Sequence, residues 1–306
     1  MNGAQNNRDA RKTFVSLRDR IAACVKTRRA MLVPGAANAL SARIIADLGY
    51  EAVYVTGAGV TNMNLGLPDL GFLNLTQLAD HTAAICDAVE VPVIVDADTG
   101  FGNAVNVHHS VRVLERAGAN AIQLEDQVSP KRCGHFKGKS VISADEMAGK
   151  IHAAVDARSS ETFLIIARTD ARAVDGFQAA IDRASAYIEA GADVTFMEAP
   201  ESVEEMRRIP ELLRVPQVVN MVVGGKTPIL DATELSAMGF AIVLYANAAL
   251  QGAILGMQNA LRELKERGRL DETSETVVNF TERQRLVQKK ECDEMEQKYS
   301  GDRDRK

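Results

Sequence analysis

No run of the ~18 consecutive apolar residues that a membrane-spanning helix needs occurs in the chain, so no membrane span is expected. The first residues, MNGAQNNRDARKTF, are polar and hold no apolar stretch of the kind a secretory signal carries, so none is expected. Cysteine is scarce. The four residues, at 24, 86, 133 and 292, lie far apart with no C-x-x-C spacing of a zinc site. That pattern suits free thiols in a reducing, cytoplasmic setting. Basic excess is also missing: 36 Lys and Arg against 41 Asp and Glu give a net charge of −5. Phosphate backbones are bound by basic stripes, so nucleic acid is not the expected partner. No G-x-G-x-x-G opens the first helical segment, which weakens a dinucleotide reading. What remains is a chain of 306 residues, 46% hydrophobic, with material for a sizeable core in one large domain or two average ones.

Eight short Val- and Ile-rich runs recur along it: 30–36, 52–59, 91–99, 121–126, 163–170, 193–200, 216–222 and 241–248. They are nearly continuous in apolar character, as parallel strands buried on both faces are. Segments with apolar residues at i, i+3, i+4 spacing separate them, among them VNVHHSVRVLERAGA and GFQAAIDRASAYIEAGA. Gly49, Gly118, Gly191 and Gly239 stand where helices would close in the left-handed conformation before the next strand. Eight such units predict an α/β fold of the (β/α)8 TIM-barrel type; a doubly wound open sheet is the alternative. The barrel is expected over residues 1–255 and a C-terminal helical extension over 256–306. The extension opens with the amphipathic QGAILGMQNALRELKERG, whose apolar face needs a surface to cover it, such as a neighbouring subunit. A solvated tail is the competing reading for 296–306.

Barrel enzymes work at the carboxyl ends of their strands, and here those ends carry the polar residues. Asp96 and Asp98, two apart on strand 3, should point the same way. Glu125 ends strand 4, and Asp69 in GLPDLG can reach in from a loop. Clustered carboxylates repel one another unless a cation intervenes. An all-oxygen donor set favours Mg2+, or Mn2+, retaining several waters; helix capping is the plainer duty of such acids. Arg168 can clamp a carboxylate bidentately or pair with Asp170 or Glu198. Thr56, Gly57 and Ala58 offer backbone N–H groups with little bulk, or form a tight turn. Asn220 can bind a carboxylate or cap a turn. Glu198 can accept from a substrate hydroxyl or orient Arg168. Tyr54, Tyr245 and Asn247 complete the strand-end set.

One cysteine is out of place. In EDQVSPKRCGHFKGKSV (125–141), Cys133 stands among cations and small residues rather than in an apolar pattern, as Cys24, Cys86 and Cys292 do. The segment is a long polar loop after strand 4, before a helix expected near Ser143, and such loops are often lids. Lys131, Arg132 and His135 would favour a thiolate or an anionic substrate beside Cys133. A cysteine on a lid above a bound anion can hand a proton to a carbanion. An incidental surface cysteine is the alternative.

Taken together, YVTGAG (54–59), LGLPDLG (65–71), VDADTGFGN (95–103), LEDQVSPKRCGH (124–135), IARTDA (166–171), MEAP (197–200) and NMV (220–222) resemble the isocitrate lyase/phosphoenolpyruvate mutase superfamily. The likeness covers roughly residues 15 to 260. The KRCGH lid resembles the lyase branch: isocitrate, 2-methylisocitrate and 2,3-dimethylmalate lyases, together with carboxyphosphonoenolpyruvate mutase. The resemblance implies a barrel whose last helix is swapped between subunits of a homotetramer, a dimer of dimers. It implies Mg2+ held directly by Asp96, with Asp69, Asp98 and Glu125 acting through water. Thr56, Gly57, Ala58, Arg168 and Asn220 would hold the 2-oxo- or 2-hydroxy-acid portion, and Gly134 and His135 the second carboxylate. Cys133 would be the catalytic acid, with Tyr54 or Glu198 assisting deprotonation of a 2-hydroxy di- or tricarboxylate before C2–C3 cleavage. The sequence departs from the alkylmalate lyases at Ala37-Asn38, where they tend to have Tyr-Asp, and at Ala246, where many have proline. Asn38 and Asn247 resemble the mutase side. Phosphorus–carbon bond chemistry, oxaloacetate decarboxylation or hydrolysis, and a non-catalytic keto-acid sensor therefore stand as alternatives.

Overall fold

In a computed structural model, residues 15–134, 136 and 138–300 are described. Eight strands form a closed barrel in sequence order, β1 (Met31–Ala36), β2 (Val53–Val55), β3 (Val93–Asp96), β4 (Ala121–Glu125), β5 (Leu164–Thr169), β6 (Val194–Met197), β7 (Gln217–Asn220) and β8 (Ile242–Tyr245). Every neighbouring pair is parallel, and β8 closes on β1 through Met31–Ile242 and Val33–Leu244. The helices are α1 (Leu17–Thr27), α2 (Ala39–Asp47), α3 (Gly57–Leu65), α4 (Leu75–Ala88), α5 (Ala104–Arg116), α6 (Ala144–Ala157), α7 (Arg172–Asp175), α8 (Phe177–Glu189), α9 (Val203–Leu212), α10 (Ala232–Met238), α11 (Ala248–Arg267), α12 (Phe280–Leu286) and α13 (Lys289–Tyr299). The (β/α)8 barrel expected from the alternation is present, and the open sheet is not.

The strands are buried on both faces because their side chains feed two apolar layers. Tyr54, Ile94, Ile166, Phe196 and Leu244 fill the barrel interior, and Leu17, Ile21 and Cys24 of α1 join that cluster, plugging the end where the strands begin. The opposite faces pack under the surrounding helices, for example Val95, Ile122 and Ile165 with Val111 and Ile151. With one mouth plugged, polar groups are left to the other. The glycine stops hold: Gly49, Gly118, Gly191 and Gly239 all have φ between 84° and 105°.

Two local expectations need correction. Strand 2 is shorter than the apolar run implies. Thr56 accepts a hydrogen bond from Gly59 N at 3.2 Å as an N-cap, and Gly57–Leu65 is helical. Asp98 also lies beyond its strand, which ends at Asp96. The two carboxylates converge through a left-handed turn at Asp98 (φ 48°) rather than through strand alternation.

The helix following β8 behaves unlike the others. In α11 only Leu250 is buried, while Leu255 and Leu261 are about 60% exposed (59% and 62%). Beside its first turn, between α2 and α10 and over β1 and β8, lies an apolar groove of about 560 Å³ bordered by Leu32, Ile44, Leu48, Tyr50, Ala232 and Tyr245. This is the place on the barrel wall where an eighth covering helix belongs; α11 runs away from it. The charged tail folds as α12 and α13, with Arg285 gripping Asp47 of α2 through two 2.7 Å hydrogen bonds. Cys292 is exposed on α13 and packs in no core, unlike buried Cys24. No described helix is long and apolar enough to cross a membrane.

Candidate active site

The carboxyl ends of β3, β4 and β5 bring three charged side chains to the open mouth: Asp96, Glu125 and Arg168, all buried. Asp96 ends β3 beside Gln123 of β4, whose amide donates to Asp96 Oδ1 at 3.4 Å. The backbone N–H of Asp98 donates to the same oxygen at 3.2 Å. Gly57 makes room for this pair: a Cβ there would stand 3.2 Å from Asp98 Oδ1 and 3.4 Å from Asp96 Oδ2. Burial is the largest influence on Asp98 and pushes its carboxyl to about 6, against the pull of Lys131.

Glu125 is 1% exposed, and its carboxylate oxygens accept no hydrogen bond among the described residues. Burial holds its pKa well above the ordinary carboxylate range, with Arg168, 3.3 Å away, opposing. A buried carboxyl in that condition calls for a cation or a proton. Asp96, Asp98, Glu125 and Asp69 together are an all-oxygen donor set, the kind that suits Mg2+ or Mn2+. Among the described residues no three acidic, histidine or cysteine side chains enclose a metal position unaided. A hard ion held by this set would keep much of its water.

Arg168 is placed as expected, and of the two engagements the sequence allows it makes the pairing with Asp170. Its Nε and Nη2 grip Asp170 at 2.9 and 3.1 Å, so its bidentate face is taken within the protein. Its Nη1 lies 3.3 Å from Glu125 and 3.5 Å from Glu198, and Phe196 lies under the guanidinium at 5.4 Å. One guanidinium edge thus remains turned toward the site. Tyr54 is buried and donates its hydroxyl to Gln123 at 2.9 Å. Burial, reinforced by Asp96, raises the phenol well above its usual pKa. It is a neutral hydrogen-bonding group in this arrangement.

Glu198 follows β6 directly and is 1% exposed. Asn220 ends β7 and Asn247 precedes α11; the Oδ1 of each is buried without a hydrogen-bond partner among the described residues. Thr56 spends its hydroxyl on capping α3, so what it brings to the site is the helix start behind it. The first-turn N–H groups of Gly57 and Ala58 have no intrahelical acceptor, and with the helix dipole they favour an anion.

The segment after β4 folds over this mouth. Its neck is a short antiparallel bridge, Gln127 with Val141, closed by Val128 N to Ser140 O at 2.9 Å. The Gln127 side chain shapes the turn beyond, donating to Arg132 O at 2.8 Å and accepting from Arg132 N at 2.9 Å. Two lysines fix the turn to the barrel. Lys131 Nζ meets Asp69 Oδ1 at 2.5 Å and Asp98 Oδ1 at 2.9 Å. Lys139 Nζ pairs with Asp170 Oδ1 at 2.6 Å and also donates to Gly134 O. Gly134 rests on the clamp itself: a Cβ there would fall 2.5 Å from both Arg168 Nη2 and Glu198 Cγ. Cys133, half-buried, is held between these anchors. His135 lies outside the described residues.

Beneath the lid's return, Asp126 accepts from Thr169 Oγ1 (2.7 Å), Asp170 N (2.8 Å) and Tyr187 OH (2.8 Å), tying β4, β5 and α8 together. The site thus gathers Tyr54, Asp69, Asp96, Asp98, Glu125, Cys133, Gly134, Arg168 and Glu198 at one barrel mouth. Gln123, Gln127 and Lys139 were not singled out from the sequence. Lys139 does stand in the lid's cation-rich stretch, which was the available signal for it.

Comparison with known proteins finds relatives along most of the chain. The family model described as phosphoenolpyruvate phosphomutase matches residues 22–265. The chain is 45% identical over 279 residues to 2,3-dimethylmalate lyase of Eubacterium barkeri, covering 91% of this chain and 96% of that protein. It is 44% identical over 258 residues to 2-methylisocitrate lyase of Aeropyrum pernix, covering 84% and 83%. Among solved structures, oxaloacetate acetylhydrolase with 3,3-difluorooxalacetate superposes with a TM-score of 0.87 at 32% identity, covering 94% of this chain and 98% of that one. Phosphonopyruvate hydrolase in complex with oxalate and Mg2+ superposes with a TM-score of 0.81 at 29% identity, covering 92% and 98%.

Proposed function

The chain belongs to the isocitrate lyase/phosphoenolpyruvate mutase superfamily, and on that premise we propose that it is a Mg2+-dependent carbon–carbon lyase. The substrate is a 2-hydroxy di- or tricarboxylate of the 2,3-dimethylmalate or 2-methylisocitrate type, cleaved to pyruvate or another 2-oxo acid and a carboxylate. The observation that carries the reading is the lid contact. Gly134 lies directly on Arg168 and Glu198, and this supports a role for the neighbouring Cys133 at a mouth equipped for carboxylates.

Asp96 would hold the metal, with Asp98, Glu125 and Asp69 around it. When bound, Mg2+ supplies positive charge that makes a nearby hydroxyl more acidic and offsets charge developing on oxygen. The Nη1 edge of Arg168, the N–H groups of Gly57 and Ala58, and the amide of Asn220 orient the carboxylate end of the substrate. Gly134 and His135 contribute from the lid, and Asn247 from the end of β8. Glu198 takes the substrate hydroxyl proton, and Tyr54, kept neutral, lends a hydrogen bond. The electrons of the C2–C3 bond pass to C3 as C2 becomes a ketone, and the Cys133 thiol gives C3 its proton. Lid closure excludes bulk water that would otherwise compete as proton source.

A second reading, hydrolysis of oxaloacetate, is favoured by the likeness to oxaloacetate acetylhydrolase. The phosphonate mutase reading loses one support, because the Asn38 side chain is taken up capping α2. We also propose that the protein is a homotetramer in which α11 of one subunit covers the groove of another. The groove and the exposed apolar face of α11 support this arrangement.

The reaction is tested by following product release with Mg2+ present. The panel holds 2-alkylmalates, 2,3-dimethylmalate, methylisocitrate, isocitrate and oxaloacetate, run with wild type and Cys133→Ser. The expected result is 2-oxo-acid release from one panel member, reduced about 10²-fold or more in Cys133→Ser. Oxalate release from oxaloacetate would replace the lyase with the hydrolase. Silence across the panel with metal bound would sink both and direct attention to phosphonates, followed by phosphorus NMR.

A further inference from the structure

A lysine ammonium at an acid cluster expected to bind a cation raises a question of competition. Lys131 is 5% exposed, and lysine is seldom buried so deeply unless paired. Its partners are Asp69 Oδ1 and Asp98 Oδ1. The second is the informative one. Asp98 Oδ1 and Asp96 Oδ2 lie within 3.2 and 3.4 Å of one point, the position a Gly57 Cβ would take. The oxygen Lys131 holds is therefore the one that shares a pocket with Asp96. The backbone leaves it little latitude, since Asp98 is fixed in a left-handed turn and by its N–H to Asp96. An ammonium and a divalent ion cannot both approach that oxygen without strong repulsion in a buried setting. Lys131 is also part of the lid, two residues before Cys133 and immediately beyond the neck that Gln127 organises.

We propose that Lys131 is an internal counter-cation that competes with the divalent metal for Asp98, so that metal occupancy and lid position are linked. With the metal away, the ammonium neutralises Asp98 and Asp69 and pins the lid. As the metal binds, Lys131 gives up Asp98 and keeps Asp69, loosening the lid at that end until substrate re-seats it, while Lys139 holds the other. By reciprocity, whatever fixes Lys131 on Asp98 weakens metal binding by the same factor as metal binding weakens that contact. The inference rests on the metal site of the proposed function and on no particular substrate.

The test is direct titration of the full chain with Mn2+, by calorimetry and by the Mn2+ electron paramagnetic resonance signal. Wild type is compared with Lys131→Met, Lys131→Gln and Lys131→Arg. The two neutral variants should bind Mn2+ about tenfold more tightly, because a competing charge has gone. Lys131→Arg, which keeps the charge, should stay close to wild type. Chymotrypsin cleavage at exposed Phe136 reads the lid. Mn2+ should speed cleavage in wild type, while the neutral variants should be cut rapidly with or without it. Unchanged or weaker Mn2+ binding in both neutral variants overturns the linkage while leaving the metal site standing. Failure of wild type and all variants to bind Mn2+ overturns the metal site and the linkage together.

Discussion

Gly134 is where the lid meets the barrel, and it shows how little space the site allows. An alanine methyl there would collide with Arg168 Nη2 and Glu198. Arg168 cannot give way, being held by Asp170 and backed by Phe196. Gly134→Ala should therefore keep the lid from its seat and displace Cys133. A displacement of about 1 Å in such a site costs on the order of 10² in rate. We expect kcat/KM on the substrate found by the panel to fall by about that factor. The urea midpoint should stay unchanged, because among the described residues the lid tip, 129–140, contributes no side chain to the apolar clusters of the barrel wall. Full activity in the variant would show that the closed lid does not rest on Arg168 during turnover. Cys133 could be singled out in the sequence, since it stands among cations and glycine rather than in an apolar pattern. The partners of the lid lysines were not: Asp69 lies 62 residues before Lys131, and Asp170 lies 31 residues after Lys139. Only closure of the barrel brings such pairs together, and one sequence carries no record of it.

At the level of elements, what could be read was whatever repeats with a local cause. Burial on both faces made the strands recognisable, and the glycine closures marked where helices had to end. The two departures, at Thr56 and Asp98, share a physical origin. Each lies just past a strand, where short polar residues and glycine permit a turn, a cap or a further residue of strand equally well. The same ambiguity affects Asn38, which in the sequence resembles the mutase side. In the structure it is the N-cap of α2, accepting from Ser41 N at 2.9 Å while Ser41 Oγ receives the Asn38 N–H at 3.1 Å. Losing such a cap costs about 1 kcal/mol. Asn38→Ala should lower the unfolding free energy by about that much in urea titration, with kcat/KM within about twofold of wild type. A loss of activity well beyond that, at unchanged stability, would give Asn38 a role in the reaction and revive the mutase reading.

For the whole molecule, the unanswered demand is the missing layer over β1 and β8. Seven of the eight strands are followed by a helix that lies against the barrel; α11 instead carries Ile254, Leu255, Met257, Leu261 and Leu264 into solvent, each at least 41% exposed. The groove it leaves is apolar and bordered by Leu32, Ile44 and Leu48. Fully burying side chains of this kind yields roughly 1.5–3 kcal/mol each, so two defects of matching character in one chain favour mutual repair between copies. The sequence displayed the apolar face of this helix. It could not show that the helix turns away from its own barrel, because an amphipathic pattern is the same whichever surface covers it. In light scattering, wild type should have four times the 33.1 kDa mass of one chain. Leu255→Asp combined with Leu261→Asp places charge on the face that must be buried, and that variant should fall to smaller species and unfold at lower temperature. If wild type ran as a monomer at micromolar concentration, α11 would have to cover its own groove in solution. If the double variant kept the tetramer, the subunits would be joined through another surface, and the groove would require a different occupant.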